Sequence, residues 1–193
     1  MNMDSKIWFL WFLIAPCLVV TGQNHDSYEE PQANNQHAIW HIKAIHPDGY
    51  TMDIKALDTE GNRYDVKAME DSNQKYIMDV KAFVGMEILP VKVLVSEEQY
   101  NPVAAISETG KIYKLAAIAN NGALLEVRGV RKSGYIIHIK AIEKDGSFYG
   151  VKAISQQGKL NDVKGIKMYD KRLEMTMNEI EVHAHVVALP QIQ

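Results

Sequence analysis

The sequence predicts an all-β protein, an antiparallel meander of about 12 to 13 strands assembled from one short repeat. Two observations carry this expectation. A tetrapeptide that begins with Val, Ile or Leu returns every 12 residues, and a glycine returns at a fixed place between its copies. The 193 residues are 47% hydrophobic, enough for one ordinary domain with a real core. Charged residues make up 23% and the net charge is -3, so no basic excess exists to hold a phosphate backbone and nucleic acid is excluded as a partner class.

The N-terminus comes first. Behind Lys6, the run Ile7 to Val20 is apolar over 14 residues and ends in Val20-Thr21-Gly22. It reads as a signal peptide over residues 1–22, cleaved after Gly22. A spanning helix needs roughly 20 apolar residues, so a retained anchor is the lesser alternative. Lipid attachment at Cys17 would place Pro16 where a small residue is expected. Cys17 is the one cysteine, which leaves the rest of the chain without disulfides, thiolate catalysis or cysteine metal sites. Residues 23–36, rich in Asn, Gln, Glu and Pro, read as a flexible leader. The β-repeat domain occupies 37–193.

The copies are IKAI at 42, IKAL at 54, VKAM at 66, VKAF at 80, VKVL at 91, VAAI at 103, LAAI at 115, VRGV at 127, IKAI at 139, VKAI at 151 and VKGI at 163. A further copy stands at Val186-Val187-Ala188-Leu189 and a degenerate one near Met175. Two residues are inserted around Ser72 to Gln74, and one is lost at Val84-Gly85. HIKAIHPDG from His41 returns as HIKAIEKDG from His138, which suggests duplication of a longer block.

Counting each unit from its Val or Ile, position 8 is glycine at Gly49, Gly61, Gly110, Gly122, Gly134, Gly146 and Gly158. Turn formers such as Pro47-Asp48 and Asn120-Asn121 precede it. A type I turn followed by a left-handed glycine makes a three-residue hairpin loop and leaves about nine residues as strand. A turn centred on position 7 pairs position 2 with position 12 of the same unit, predicting Lys43 opposite Asp53, Lys55 opposite Asp65, Lys67 opposite Asp79 and Lys152 opposite Asp162, with Ile54 facing Val66. These charges read as a solvated ladder that sets register rather than as catalytic carboxylates.

Positions 1, 3 and 11 form the face expected to be buried, as with Val66, Ala68 and Tyr64. The opposite face has a charged middle and apolar rims. Two units depart from this, carrying Ala104 and Ala116 where the other nine of the eleven clear copies carry Lys or Arg. With Ile106, Ile112, Ile118 and Leu124 they make a continuous apolar patch, a candidate contact surface. Its cover is either the chain itself, by a second sheet or the leader, or a partner.

Closing so many strands into a cylinder would leave a lumen that Ala and Val cannot fill. The expected architecture is therefore a meander flattened into two stacked sheets, with a closed barrel or a β-solenoid as alternatives.

The runs HIKAIHPDG, YDVKAM, HIKAI, DVKGIKM and the ending VVALPQ resemble a family of secreted repeat proteins of unknown function from marine flavobacteria, over nearly all of residues 37–193. The resemblance implies a bacterial, extracytoplasmic setting and brings no activity with it.

No GxSxG, HExxH, CxxC, Walker or EF-hand pattern is present, so no catalytic residue and no cofactor is expected. His183 and His185 share one strand face and, with His41, form a candidate metal set. The alternative places such histidines on the ordinary polar face, where His41 and His138 stand in for Asp at position 12. The functional expectation is an extracytoplasmic structural or binding module of the cell envelope (periplasm, surface or secreted). Its partner would be a protein, a carbohydrate or a second copy of the chain. A polymer hydrolase and an outer-membrane barrel are the alternatives.

Overall fold

The computed structural model describes residues 38–71, 74–167 and 175–191. The expected signal peptide and leader lie outside them, as does Cys17. The glycine turns form as their spacing requires at six of the seven predicted positions, whereas at Gly134 (φ 59°) the β8–β9 hairpin closes through the two residues Gly134-Tyr135, with Ser133 opposite Ile136. Gly49, Gly61, Gly110, Gly122, Gly146 and Gly158 all have φ between 79° and 89°, where a Cβ would be strained. Each donates its N–H to the carbonyl three residues back, as Gly49 does to His46 at 2.9 Å.

Between the turns run β1 (Ile39–Ile45), β2 (Thr51–Leu57), β3 (Arg63–Asp71), β4 (Gln74–Val84), β5 (Glu87–Leu94), β6 (Asn101–Ile106), β7 (Ile112–Ile118), β8 (Leu124–Ser133), β9 (Ile136–Ile142), β10 (Phe148–Ile154), β11 (Leu160–Ile166), β12 (Met175–Met177) and β13 (Ile180–Pro190). All pairings are antiparallel. The all-β meander is therefore as the repeat predicts, but its closure differs from the expected stack of two sheets. The strands belong to one 13-stranded sheet that returns on itself.

The register explains how. Along one edge, β2 pairs β7 from Asp53 to Leu57. Its other edge is divided, the first half going to β1 (Asp53 with Lys43) and the second to β3 (Lys55 with Asp65). β1 and β3 complete the set by pairing His41 with Lys67. Three strands thus meet in a triangular junction. The same pattern recurs in β6/β7/β8, in β9/β10/β11 and in β4/β5/β13. Six two-stranded ladders join the four junctions: β1–β10, β2–β7, β3–β4, β5–β6, β8–β9 and β11–β13. Every junction is linked once to each of the other three, the connectivity of a tetrahedron. Twelve repeat strands supply the twelve sides of these ladders, and β12 is an addition outside the pattern.

This closure removes the objection to a lumen. A strand shared among three neighbours bends the sheet at each junction, so the enclosed space is smaller than that of a cylinder of the same strand number. Small side chains then suffice. Positions 1, 3 and 11 point inward from all twelve repeat strands, and their buried members form one continuous cluster.

Two predicted pairs change. Ile54 lies on the same inner face as Val66, but the hairpin separates before reaching them and Ile54 is opposite Ala117 instead. Lys67 does not face Asp79. The two inserted residues recentre the β3–β4 hairpin, so Lys67 stands opposite Lys81 and Asp79 opposite Met69.

A ring of six strands surrounds each of four corners between the junctions. The first is β1-β2-β7-β8-β9-β10, the second β2-β3-β4-β5-β6-β7, the third β1-β3-β4-β13-β11-β10 and the fourth β5-β6-β8-β9-β11-β13. Three position-11 residues close each corner from inside. Tyr64 and Tyr113 meet edge to face at 5.6 Å in the second.

Candidate functional site

The outer face of each junction brings three position-2 residues against three position-12 residues. At β1/β2/β3 the pairs are Lys43 with Asp53, Lys55 with Asp65, and Lys67 with His41, the last at 2.9 Å. At β9/β10/β11 Lys152 pairs with Asp162 and Lys164 lies 3.3 Å from His138 Nδ1. The Lys43 ammonium, hydrogen-bonded to Asp53, holds that carboxyl below its usual range, and Lys55 does the same for Asp65. The echo between His41 and His138 has a structural meaning here, since each histidine completes its own triad.

The candidate metal set does not converge. His41 belongs to the β1/β2/β3 junction, whereas His185 belongs to β4/β5/β13, where it contacts Lys92. His183 sits in a bulge of β13, between Val182 and Ala184. Its Nε2 is buried without a hydrogen bond, and burial, with Lys132 and Lys167 nearby, lowers its pKa to about 4. Among the described residues no three His, Cys, Asp or Glu side chains are grouped to hold a metal ion.

Among the described residues Lys92 is the cation that is buried, 7% exposed. Burial, reinforced by Lys81 and opposed by Asp79, lowers its pKa from 10.5 to about 8. With the folded value depressed, the unfolded chain holds the extra proton between pH 8 and 10.5, so this group makes stability rise with pH across that window and costs most below it. Lys92→Met is expected to raise stability at pH 7 by about 2 kcal/mol. Urea titration at pH 7 and at pH 10 checks this, the gain shrinking at the higher pH.

The junction β6/β7/β8 carries two alanines at position 2, and it divides the apolar patch of the sequence. Ala104 and Ile106 are 0% and 1% exposed. Among the described residues their cover is the β12–β13 hairpin, whose Met177, Ile180 and Val182 pack on them, with Ile112 at the edge; the leader named as an alternative cover lies outside the described residues. Asn178 at the hairpin tip secures it by donating to the Ser107 carbonyl at 2.9 Å. Ala116 lies outside this cover. It lines a groove of about 420 Å³, with Leu57 of β2 to one side of β7 and Leu124 of β8 and Ile142 of β9 to the other. Leu124 is 46% exposed, and Ile118 is half-buried.

Charges rim this groove. Lys114, Lys144 and Glu143 stand along it. Arg128 is held in place by Glu126 at 2.8 Å and by Glu98 from the β5–β6 loop. The register sets Ala116 opposite both Glu126 and Lys55, the setting that a lysine, Lys43 or Lys152, occupies in its own junction. Loss of that lysine opens the groove. The alanine substitution was visible in the sequence, but nothing there distinguished the covered Ala104 from the open Ala116.

The repeat pattern and its boundaries match a family of unknown function, DUF7486, over residues 36–189. The chain belongs to this family. No curated protein and no solved structure matches it. The DUF7486 match spans twelve of the thirteen strands in full and all but the last residue of β13, so all four junctions and the Ala116 groove lie within it. Among the described residues no helix is long and apolar enough to cross a membrane.

Proposed function

We propose that this DUF7486 protein is an exported, non-catalytic binding module of a bacterial cell envelope, and that the groove above Ala116 is its contact surface. The observation that carries the reading is the local loss of the lysine ladder. On β7 the position-2 lysine is replaced by Ala116, which lines the groove, and Arg128 beside it is held by ion pairs to Glu126 and Glu98. A volume of about 420 Å³ is within the range of small-ligand sites. Lys6, the apolar run Ile7 to Val20 and the small residues at its end support export, as does the resemblance to secreted flavobacterial repeat proteins. The outward charged ladders and apolar interior oppose an outer-membrane barrel, which needs an apolar band facing lipid.

Ala116→Lys tests the groove. The new ammonium meets Glu126 as Lys43 meets Asp53, so stability is expected to change by no more than about 1 kcal/mol while the groove fills. Ligands found by thermal-shift screening of short peptides, fatty acids and oligosaccharides should lose binding in this variant. Unchanged binding of every hit would overturn the groove as the contact surface. N-terminal sequencing of protein made in a bacterial host should begin at or near Gln23, and an intact Met1 would overturn export.

A further inference from the structure

The third corner is built unlike the other three. Position 11 of its strands is filled by Trp40, Met78 and Asn161. Trp40 is the wall between two adjoining grooves, one of about 530 Å³ beside Met69, Gln156 and Gln157, the other of about 340 Å³ beside Glu70, Tyr76 and Asn161. Position 11 faces the core, and in ten of twelve strands it is apolar or aromatic. Asn101 is one exception, and its amide donates to the Leu94 carbonyl at 2.8 Å. Asn161 is the other. It is 8% exposed, and among the described residues its amide nitrogen is hydrogen-bonded to the thioether of Met78 at 3.8 Å, a weak acceptor. A buried amide left so poorly satisfied costs about 1–3 kcal/mol, which an apolar residue in its place would avoid.

We propose that this corner binds neutral oligosaccharides, with Trp40 as the stacking platform. A pyranose ring has one face of C–H groups that lies against an aromatic ring and a rim of hydroxyls that both donate and accept. Trp40 and the exposed Tyr76 supply the first requirement. The amides of Asn161, Gln156 and Gln157 supply the second, each able to donate and accept at once. Lys159 and Glu70 bring one charge of each sign, which favours an uncharged ligand. A fatty chain would leave the amides unsatisfied. This site is separate from the Ala116 groove, which lies over β6, β7 and β8, so either proposal can fail without the other.

The chain from Gln23 onward offers a direct probe, because Trp8 and Trp11 precede it and Trp40 is then its one tryptophan. Titration with cellohexaose, maltohexaose and chitohexaose should give, for at least one of them, a saturable change in tryptophan emission with Kd on the order of 1 mM or tighter. Asn161→Leu should raise the melting temperature while weakening that sugar at least about tenfold by calorimetry. Tyr76→Ala, at a surface position, should weaken it with the fold intact, and Ala116→Lys should leave it unchanged. The proposal is overturned if none of the three sugars saturates by about 10 mM. It is equally overturned if Asn161→Leu and Tyr76→Ala both bind as the parent does.

Discussion

Ala104→Lys is expected to destabilise the protein by about 3–5 kcal/mol, although the same substitution at Ala116 is nearly neutral. The two alanines occupy equivalent places in consecutive repeats. Their surroundings differ because β13 continues past its junction and turns back through β12, laying Met177, Ile180 and Val182 over Ala104. Ala104 also stands opposite the buried Lys92 and beside Lys114. A lysine there would add a second desolvated ammonium with no carboxylate to receive it, and would lift the hairpin from Ile106. Chemical denaturation of the two variants in parallel measures the contrast. Equal stabilities would mean that the hairpin does not cover Ala104 in solution.

Gly165→Ala is expected to cost about 2–3 kcal/mol by overpacking, and Val93→Ala in the same chain should recover most of it. The fourth corner explains the coupling. A Cβ on Gly165 would lie 2.9 Å from Val93 Cγ2 and 3.2 Å from Ile137 Cβ, and one on Gly129 would lie 2.8 Å from Ile137 Cγ2 and 3.2 Å from Val93 Cγ1. Position 3 is filled by Ala44, Ala117 and Ala141 at the first corner, by Ala56, Ala82 and Ala105 at the second, and by Ala68, Ala153 and Ala188 at the third. At the fourth it is filled by Val93, Gly129 and Gly165. Every corner thus holds three side-chain carbons at this position, distributed evenly in three cases and gathered on one residue in the last. The triple variant Val93→Ala, Gly129→Ala, Gly165→Ala should accordingly melt close to the parent. If Gly165→Ala costs the same with Val93 and with alanine at 93, the two residues do not share this corner.

The compensation among residues 93, 129 and 165 also marks what could be read from the chain and what could not. The strand content, the turn at six of the seven glycines, the inward set at positions 1, 3 and 11, and the pairs Lys43–Asp53, Lys55–Asp65 and Lys152–Asp162 all follow from the repeat. Each is settled within one unit and its neighbour. A left-handed glycine closes a three-residue loop, the loop sets which residues face each other, and strand alternation sets which face is dry. The departures VKVL, VRGV and VKGI, by contrast, look like drift when written in a line. They became one packing unit only when β5, β8 and β11 met at a corner.

The same holds for Ala104 and Ala116, and for Trp40 beside Asn161, residues 121 positions apart. Every repeat strand has a second hydrogen-bonding edge, and the 12-residue pattern offers the same edge on all of them. Local chemistry therefore leaves open which distant strand takes it. That choice was made by closure: with three strands sharing each junction and all four junctions mutually joined, the sheet returns on itself around one cluster that alanines and valines fill.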